Sequence, residues 1–174
     1  SKVIYDRAHS AIAQAAPGSI DWAAAFGDAN WLHITGITPA ISQSAADLTR
    51  EALQTAKRMG LHVSCDLNYR KNLWQYGKTA QEVMGELVPY VDTLIANEED
   101  CQKSLGITAG AHDVAAGQID VDAYSHIAQA VIARYPNLTR VAITLRQSIT
   151  ADRNIWQACL YENQQFYLSR AYEL

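Results

Sequence analysis

The residues best suited to chemistry lie between His62 and Trp74, in the run H-V-S-C-D-L-N-Y-R-K-N-L-W. Leu61, Val63, Cys65 and Leu67 alternate with His62, Ser64 and Asp66, the period of an extended segment. Directly beyond that segment come Asn68, Tyr69 and Arg70, followed by Lys71 and Trp74. A planar guanidinium there can grip a carboxylate or phosphate through two parallel hydrogen bonds. Ligands of open α/β sheets bind outside the carboxyl ends of the strands, so the placement predicts a binding site. A second polar cluster, Asn97-Glu98-Glu99-Asp100, follows the short apolar strand expected at Thr93–Ala96. Helix physics alone also explains that cluster, because Asn is a good N-cap and acids favour the first helical turn.

Other reactive side chains are less informative. None of the five histidines sits in a metal-ligand pattern, and His33 and His62 read as satisfied strand residues. Cys65, Cys101 and Cys159 are odd in number and lack metal-type spacing, so core thiols in a reducing compartment are expected. No metal site is expected. Trp22, Trp31 and Trp156 read as packing residues, whereas Trp74 can wall the site.

The elements that must hold these residues follow from periodicity and punctuation. Lys2 to Tyr5 reads as a short strand, Ala8 to Ala15 as a helix or turn ended by Pro17-Gly18, and Ile20 to Phe26 as a short helix. Trp31 to Thr35 reads as a buried strand stopped by Gly36. Ile41, Ala45, Leu48, Ala52, Ala56 and Met59 recur at helical spacing and predict one long amphipathic helix closed by Gly60. Thr79 and Glu82 have the spacing of a capping box, opening a helix whose core face is Val83, Met84, Leu87 and Val91. Gly106 to Gln118 reads as a loop. Tyr124, Ile127, Ala128, Val131 and Tyr135 mark another helix, and Val141, Ile143 and Leu145 a strand. Ile155 to Tyr161 and Gln165 to Ser169 resemble a terminal strand pair. Strands alternating with helices imply a mostly parallel sheet with helices on both faces, in one α/β unit over residues 1–174.

Bulk properties narrow the partners. The chain has 174 residues, 49% of them hydrophobic and 18% charged, enough for one domain with a real core. Its net charge of −4 offers no basic stripe for nucleic acid. No apolar run approaches membrane-spanning length, and no signal peptide is visible. A soluble, cytoplasmic protein is expected, with small molecules rather than nucleic acid or membrane as partners.

Four segments, in order, carry a family resemblance: V-I-Y-D-R-A-H-S-A from Val3, L-H-I-T-G-I-T from Leu32, D-L-N-Y-R-K-N-L-W from Asp66 and A-N-E-E-D from Ala96. With them the chain resembles the ribokinase (PfkB-type) carbohydrate kinases, and within these the 2-keto-3-deoxygluconate kinases. The resemblance implies a ribokinase-like fold and ATP- and Mg²⁺-dependent phosphorylation of a sugar acid. It implies substrate contacts at Tyr5, Arg7, Ile37 and Arg70. It also implies nucleotide contacts through Asn68, Tyr69, Arg70, Asn97, Asp100, Thr144 and Arg146. Two arginines on one pocket suit an acidic sugar, since a neutral one leaves a guanidinium without a partner.

The chain departs from the family pattern at two of these positions. Asp100 stands where the family has Glu in Asn-x-x-Glu, and Arg146 where it has the glycine of Thr-Leu-Gly. An arginine can pair with a phosphate by charge where a glycine would admit it to the backbone. The resemblance also implies a chain incomplete at both ends, the central part of the kinase's large domain. The lid and the Gly-Ala-Gly-Asp segment that carries the anion hole and catalytic base would then lie elsewhere. No catalytic residue is therefore expected here, the piece alone should be nearly inert, and a homodimer belongs to the full-length protein. Two other readings stay open. One is a non-catalytic ligand-binding or regulatory protein with this fold. The other is a nucleotide-binding oxidoreductase, disfavoured because no G-x-G-x-x-G follows a first strand.

Overall fold

Four of the expected strands become the parallel strands β1 (Trp31–Thr35), β2 (His62–Asp66), β3 (Thr93–Ala96) and β4 (Arg140–Ser148), side by side in chain order. The structure, a computed structural model, describes residue 7 and residues 9–108, 121–150 and 153–173. Beyond β4 the sheet continues antiparallel with β5 (Asn154–Glu162), which pairs with β6 (Gln165–Leu168) and with a short β7 (Tyr172–Glu173). Thr35 lies opposite Asp66, and Asp66 opposite Ile95, so β1 to β3 end at one common edge. β4 runs on past that edge, because Ala96 is opposite Ile143.

Among the described residues seven α-helices accompany the strands: α1 (Ala11–Gln14), α2 (Trp22–Phe26), α3 (Ile37–Ile41), α4 (Gln43–Arg58), α5 (Ala80–Leu87), α6 (Glu98–Leu105) and α7 (Val121–Arg134). The single helix expected over Ile41 to Met59 is divided at Ser42. That residue is extended (φ −160°, ψ 164°), and its hydroxyl accepts from Ala45 N at 3.1 Å, so it caps α4. Serine competes with the helical backbone for hydrogen bonds and so favours caps. Gly60 closes α4 with φ +77°, as its position suggested. Lys57 near the end of α4 reaches Asp92 Oδ1 at 2.7 Å, while Asp92 Oδ2 accepts from Val63 N at 2.8 Å. One carboxylate thereby ties the helix end to the start of β2.

The core forms where the buried strand residues Val63, Cys65, Leu94, Ala96, Val141, Ile143 and Leu145 meet Leu53 and Ala56 of α4, Met84 and Leu87 of α5, Cys101 of α6 and Ile127 of α7. On the opposite face of β1 and β4, Trp31, His33, Thr144 and Arg146 are exposed, while Thr35, Arg140 and Ala142 are half-buried. The three thiols are buried and unpaired, as their apolar neighbours implied. Burial pushes the Cys101 thiol up to about 12 and that of Cys159 to about 11. Among the described residues no helix is long and apolar enough to cross a membrane.

β1 departs from the buried strand expected of W-L-H-I-T. It is the edge of the described sheet, with a neighbour on one side only, and Trp31 is 50% exposed. Its indole N–H donates to Ser64 Oγ at 2.8 Å, and its ring lies 4.0 Å from that of His62. Both strand histidines are satisfied as expected, His33 on Ser64 Oγ at 2.8 Å and His62 on Thr93 Oγ1 at 2.9 Å. The strand expected at Lys2 to Tyr5 and most of the loop after Gly106 lie outside the described residues.

Candidate functional site

The common edge of β1, β2 and β3 brings three sequence segments together. After β1 the chain turns at Gly36, whose N–H donates to Asp66 O at 2.8 Å. A Cβ on Gly36 would lie 2.1 Å from the Leu67 carbonyl oxygen, so only glycine allows this approach. Ile37, the first residue of α3, sits directly beyond and is half-buried. Its N–H reaches Thr35 Oγ1 at 3.4 Å, and Asn68 Nδ2 donates to the same hydroxyl at 3.3 Å. The β1 turn and the β2 turn are thus joined through Thr35.

Asn68 takes the left-handed conformation with φ +41°, which asparagine tolerates better than most residues. Its N–H bonds Asp66 Oδ1 at 3.1 Å, a local side-chain turn that bends the chain out of β2. Tyr69 follows, and its N–H donates to Asp100 Oδ1 at 2.8 Å. Arg70 is exposed at the tip, with Nη1 donating to Tyr69 O at 2.9 Å. Among the described residues its guanidinium makes no ion pair with a carboxylate. It is still close enough to Asp100 to oppose the rise in that group's pKa.

The third segment is the start of α6. Asn97 Oδ1 accepts from Asp100 N at 2.7 Å, and Asp100 Oδ2 accepts from Asn97 N at 3.0 Å, a full capping box. Asp100 therefore spends one oxygen on its own cap and the other on Tyr69. It is 5% exposed, and burial raises its pKa against the opposing hydrogen bonds. Each oxygen accepts one hydrogen bond and keeps a second lone pair. The helix-cap explanation and the site explanation both hold, because the cap also anchors the Arg70 loop.

Thr144 lies in β4 one residue beyond the pairing of Ala96 with Ile143, and its hydroxyl reaches Ala96 O at 3.5 Å. That places it on the same edge. Arg146, two residues further, stacks 5.3 Å over the Trp156 ring and donates from Nε and Nη2 to Asn154 Oδ1 at 3.2 and 3.1 Å. Trp156, a packing residue by sequence, is thus a platform for this arginine. Arg7 lies before α1, where its carbonyl accepts from Ser10 N at 3.2 Å and from Ser10 Oγ at 2.7 Å. Tyr5 lies outside the described residues.

The edge therefore unites Ile37, Asn68, Tyr69, Arg70, Asn97, Asp100 and Thr144. Gly36, Thr35 and Asp66 belong to it as well, and motif reading had not singled them out as site residues. Their signal was only the turn chemistry of Gly36 and the Asx geometry available to Asp66. The Trp74 ring lies 6.3 Å from that of Tyr76, whose hydroxyl donates to Pro39 O at 2.6 Å, and Trp74 lines a cavity that Tyr69 also lines. Among the described residues no three His, Cys, Asp or Glu side chains form a metal-holding group.

Known proteins resemble this chain in sequence and in fold. The sequence pattern of the pfkB family carbohydrate kinases matches residues 2–145. The chain is 37% identical over 130 residues to a 2-dehydro-3-deoxygalactonokinase of Haloferax volcanii, covering 70% of this chain and 39% of that protein. It is 33% identical over 108 residues to a 2-dehydro-3-deoxygluconokinase of Thermoproteus tenax, covering 62% and 32% respectively. The crystal structure of a 2-dehydro-3-deoxygluconokinase from Thermotoga maritima superposes with a TM-score of 0.86 at 43% identity, over 99% of this chain and 50% of that one. The chain spans half or less of the length of these relatives.

Proposed function

The chain belongs to the pfkB carbohydrate kinase family, and from that premise we propose that the whole protein transfers a phosphoryl group from ATP to a hydroxyl of a 2-keto-3-deoxy sugar acid. The observation that carries the substrate class is Arg70. Its guanidinium stands exposed at the strand edge with no carboxylate of the described residues paired to it. An acidic sugar supplies the missing oxygens, and bidentate pairing fixes its orientation. The kinases of H. volcanii and T. tenax, whose names specify such sugar acids, support the same class.

In this reading Ile37 gives the pocket an apolar wall, and Tyr5 and Arg7 add the remaining substrate contacts. Thr144 and Arg146 face the nucleotide, with Arg146 offering the N–H groups that Asn154 does not use. Asn68, Asn97 and Asp100 act by holding the loop rather than by touching phosphates. Phosphoryl transfer depends on positioning and charge stabilisation, so a rigid loop has direct catalytic value. The general base is assigned to the remainder of the whole protein, these residues being the central part of its large domain. Mg²⁺ enters with the nucleotide, without a cage among the described residues. The three free thiols suit a reducing, cytoplasmic setting.

The engagement of Asp100 favours one second reading, a ligand-binding protein that keeps the fold without turnover. Assay of the complete gene product separates the two. With ATP and Mg²⁺, 2-keto-3-deoxygluconate or its galacto epimer should be phosphorylated with a kcat/KM at least about a hundredfold above that for fructose. Equal rates on fructose would remove the sugar-acid assignment. Binding of the sugar acid without any product would establish the second reading.

A further inference from the structure

Three lysines from separate parts of the chain converge on one cavity of about 380 Å³ next to the Arg70 loop. Lys71 comes from the turn after β2, Lys78 from the segment before α5, and Lys103 from the last turn of α6. Tyr69, Trp74 and Gln81 also line it. No helix or strand period links the three lysines, so only the tertiary fold gathers them. All three are exposed, and none forms an ion pair within 4.0 Å among the described residues. The carboxylate that feels Lys78 is Glu82. Its Oε2 already accepts from Thr79 N at 2.7 Å and Thr79 Oγ1 at 2.8 Å.

Ammonium groups gathered round one opening repel one another. In a chain of net charge −4 the gathering runs against the overall balance, and a bound anion turns the repulsion into attraction. The volume falls in the range of small-molecule sites, at about 300–1,000 Å³. Lysine supplies point charges that suit phosphate groups, and three of them call for more than one phosphate. We propose that this cavity binds a small anion carrying linked phosphate groups, at a site separate from the Thr35–Asn68–Arg70 edge. Tyr69 belongs to both places, lining the cavity and holding Asp100 with its N–H. Occupancy therefore bears on the loop that carries Arg70, which makes the site a candidate regulatory one. The aromatic walls Tyr69 and Trp74 offer a stacking face to a nucleoside, should the phosphates belong to one.

Calorimetric titration of the complete gene product with inorganic pyrophosphate at low ionic strength tests the site without reference to turnover. Binding is expected, weakened about two- to fivefold by each of Lys71→Ala, Lys78→Ala and Lys103→Ala. The triple variant should lose at least about tenfold, and added salt should weaken the wild type in the same sense. Arg70→Ala should leave pyrophosphate affinity unchanged, which distinguishes this site from the proposed catalytic one. A parallel titration with ADP assigns the source of the phosphates. A second ADP event that disappears in the triple variant points to a nucleotide, and unchanged ADP binding points to free polyphosphate. The proposal is overturned by absence of pyrophosphate binding, by undiminished binding in the triple variant, or by loss in Arg70→Ala alone. Circular dichroism and unfolding midpoints matching the wild type confirm that the variants, altered only at exposed side chains, remain folded.

Discussion

The Tyr69 N–H donates to Asp100 Oδ1 at 2.8 Å, bridging 31 residues and joining the turn after β2 to the first turn of α6. Because Asp100 Oδ2 holds Asn97 N at the same time, the carboxylate couples the helix cap to the Arg70 loop.

Removing that carboxylate should cost stability through two backbone donors at once. Asp100→Ala strands the N–H groups of Tyr69 and Asn97, and a loss of about 2–3 kcal/mol is expected. Asp100→Asn keeps one acceptor oxygen and should lose about 1 kcal/mol. Denaturant unfolding of the complete protein measures both, and equal midpoints for wild type and Asp100→Ala would refute the coupling. The pH dependence has a defined sign. Burial, the largest influence, raises the Asp100 pKa, so the folded state holds this proton more tightly than the unfolded chain. Its contribution to stability is therefore greatest below the ordinary carboxylate range and falls as pH rises through the raised value. Asp100→Asn should remove that part of the slope.

Gly36→Ala should be more severe than an ordinary glycine substitution. The added Cβ would meet the Leu67 carbonyl at 2.1 Å, and that oxygen is backbone in a paired segment. Either β1 or the β2 turn must shift, at a cost of about 2–4 kcal/mol. Affinity for the sugar acid should fall with it, because Ile37 and Asn68 flank the displaced contact. An unchanged melting temperature would show that the turn can yield.

Arg70→Lys keeps the charge and loses the fork. If the guanidinium holds the substrate carboxylate, KM for the sugar acid should rise about tenfold or more, with a smaller effect on KM for ATP. The comparison is made in steady-state kinetics at fixed ionic strength. A change confined to ATP would move Arg70 to the nucleotide.

The capping box of α5 gives a test independent of any activity. Hydrogen bonds from Thr79 N and Oγ1 hold the Glu82 carboxyl below its ordinary pKa. A lowered folded pKa means that the stabilisation is present above the unfolded value and disappears as pH falls through the folded one. Thr79→Ala removes the hydroxyl donor and keeps the backbone one, so Glu82 should move part of the way towards its ordinary value in an NMR titration. No movement would show that the backbone N–H, the largest influence, holds the shift by itself.

Much of this protein could be read from its residues because local physics decides it. Thr79 and Glu82, and Asn97 and Asp100, are capping boxes by spacing alone, and Val63-Cys65 and Val141-Ile143-Leu145 declare strands by alternation. The family was legible because four segments, from Val3, Leu32, Asp66 and Ala96, follow its pattern in order. Other features depend on which segments meet, and no local rule contains that information. Ser42 splits a helix that periodicity runs together, because its extended backbone lets the hydroxyl cap α4. β1 is exposed at Trp31 because of its place at the edge of the described sheet, which hydrophobicity does not report. Asp100 gains a partner 31 residues away because Tyr69 N arrives beside it, and Lys71, Lys78 and Lys103 became neighbours only when β2, α5 and α6 packed. Contacts between residues distant in sequence are set by sheet order and packing, and these only the folded chain decides.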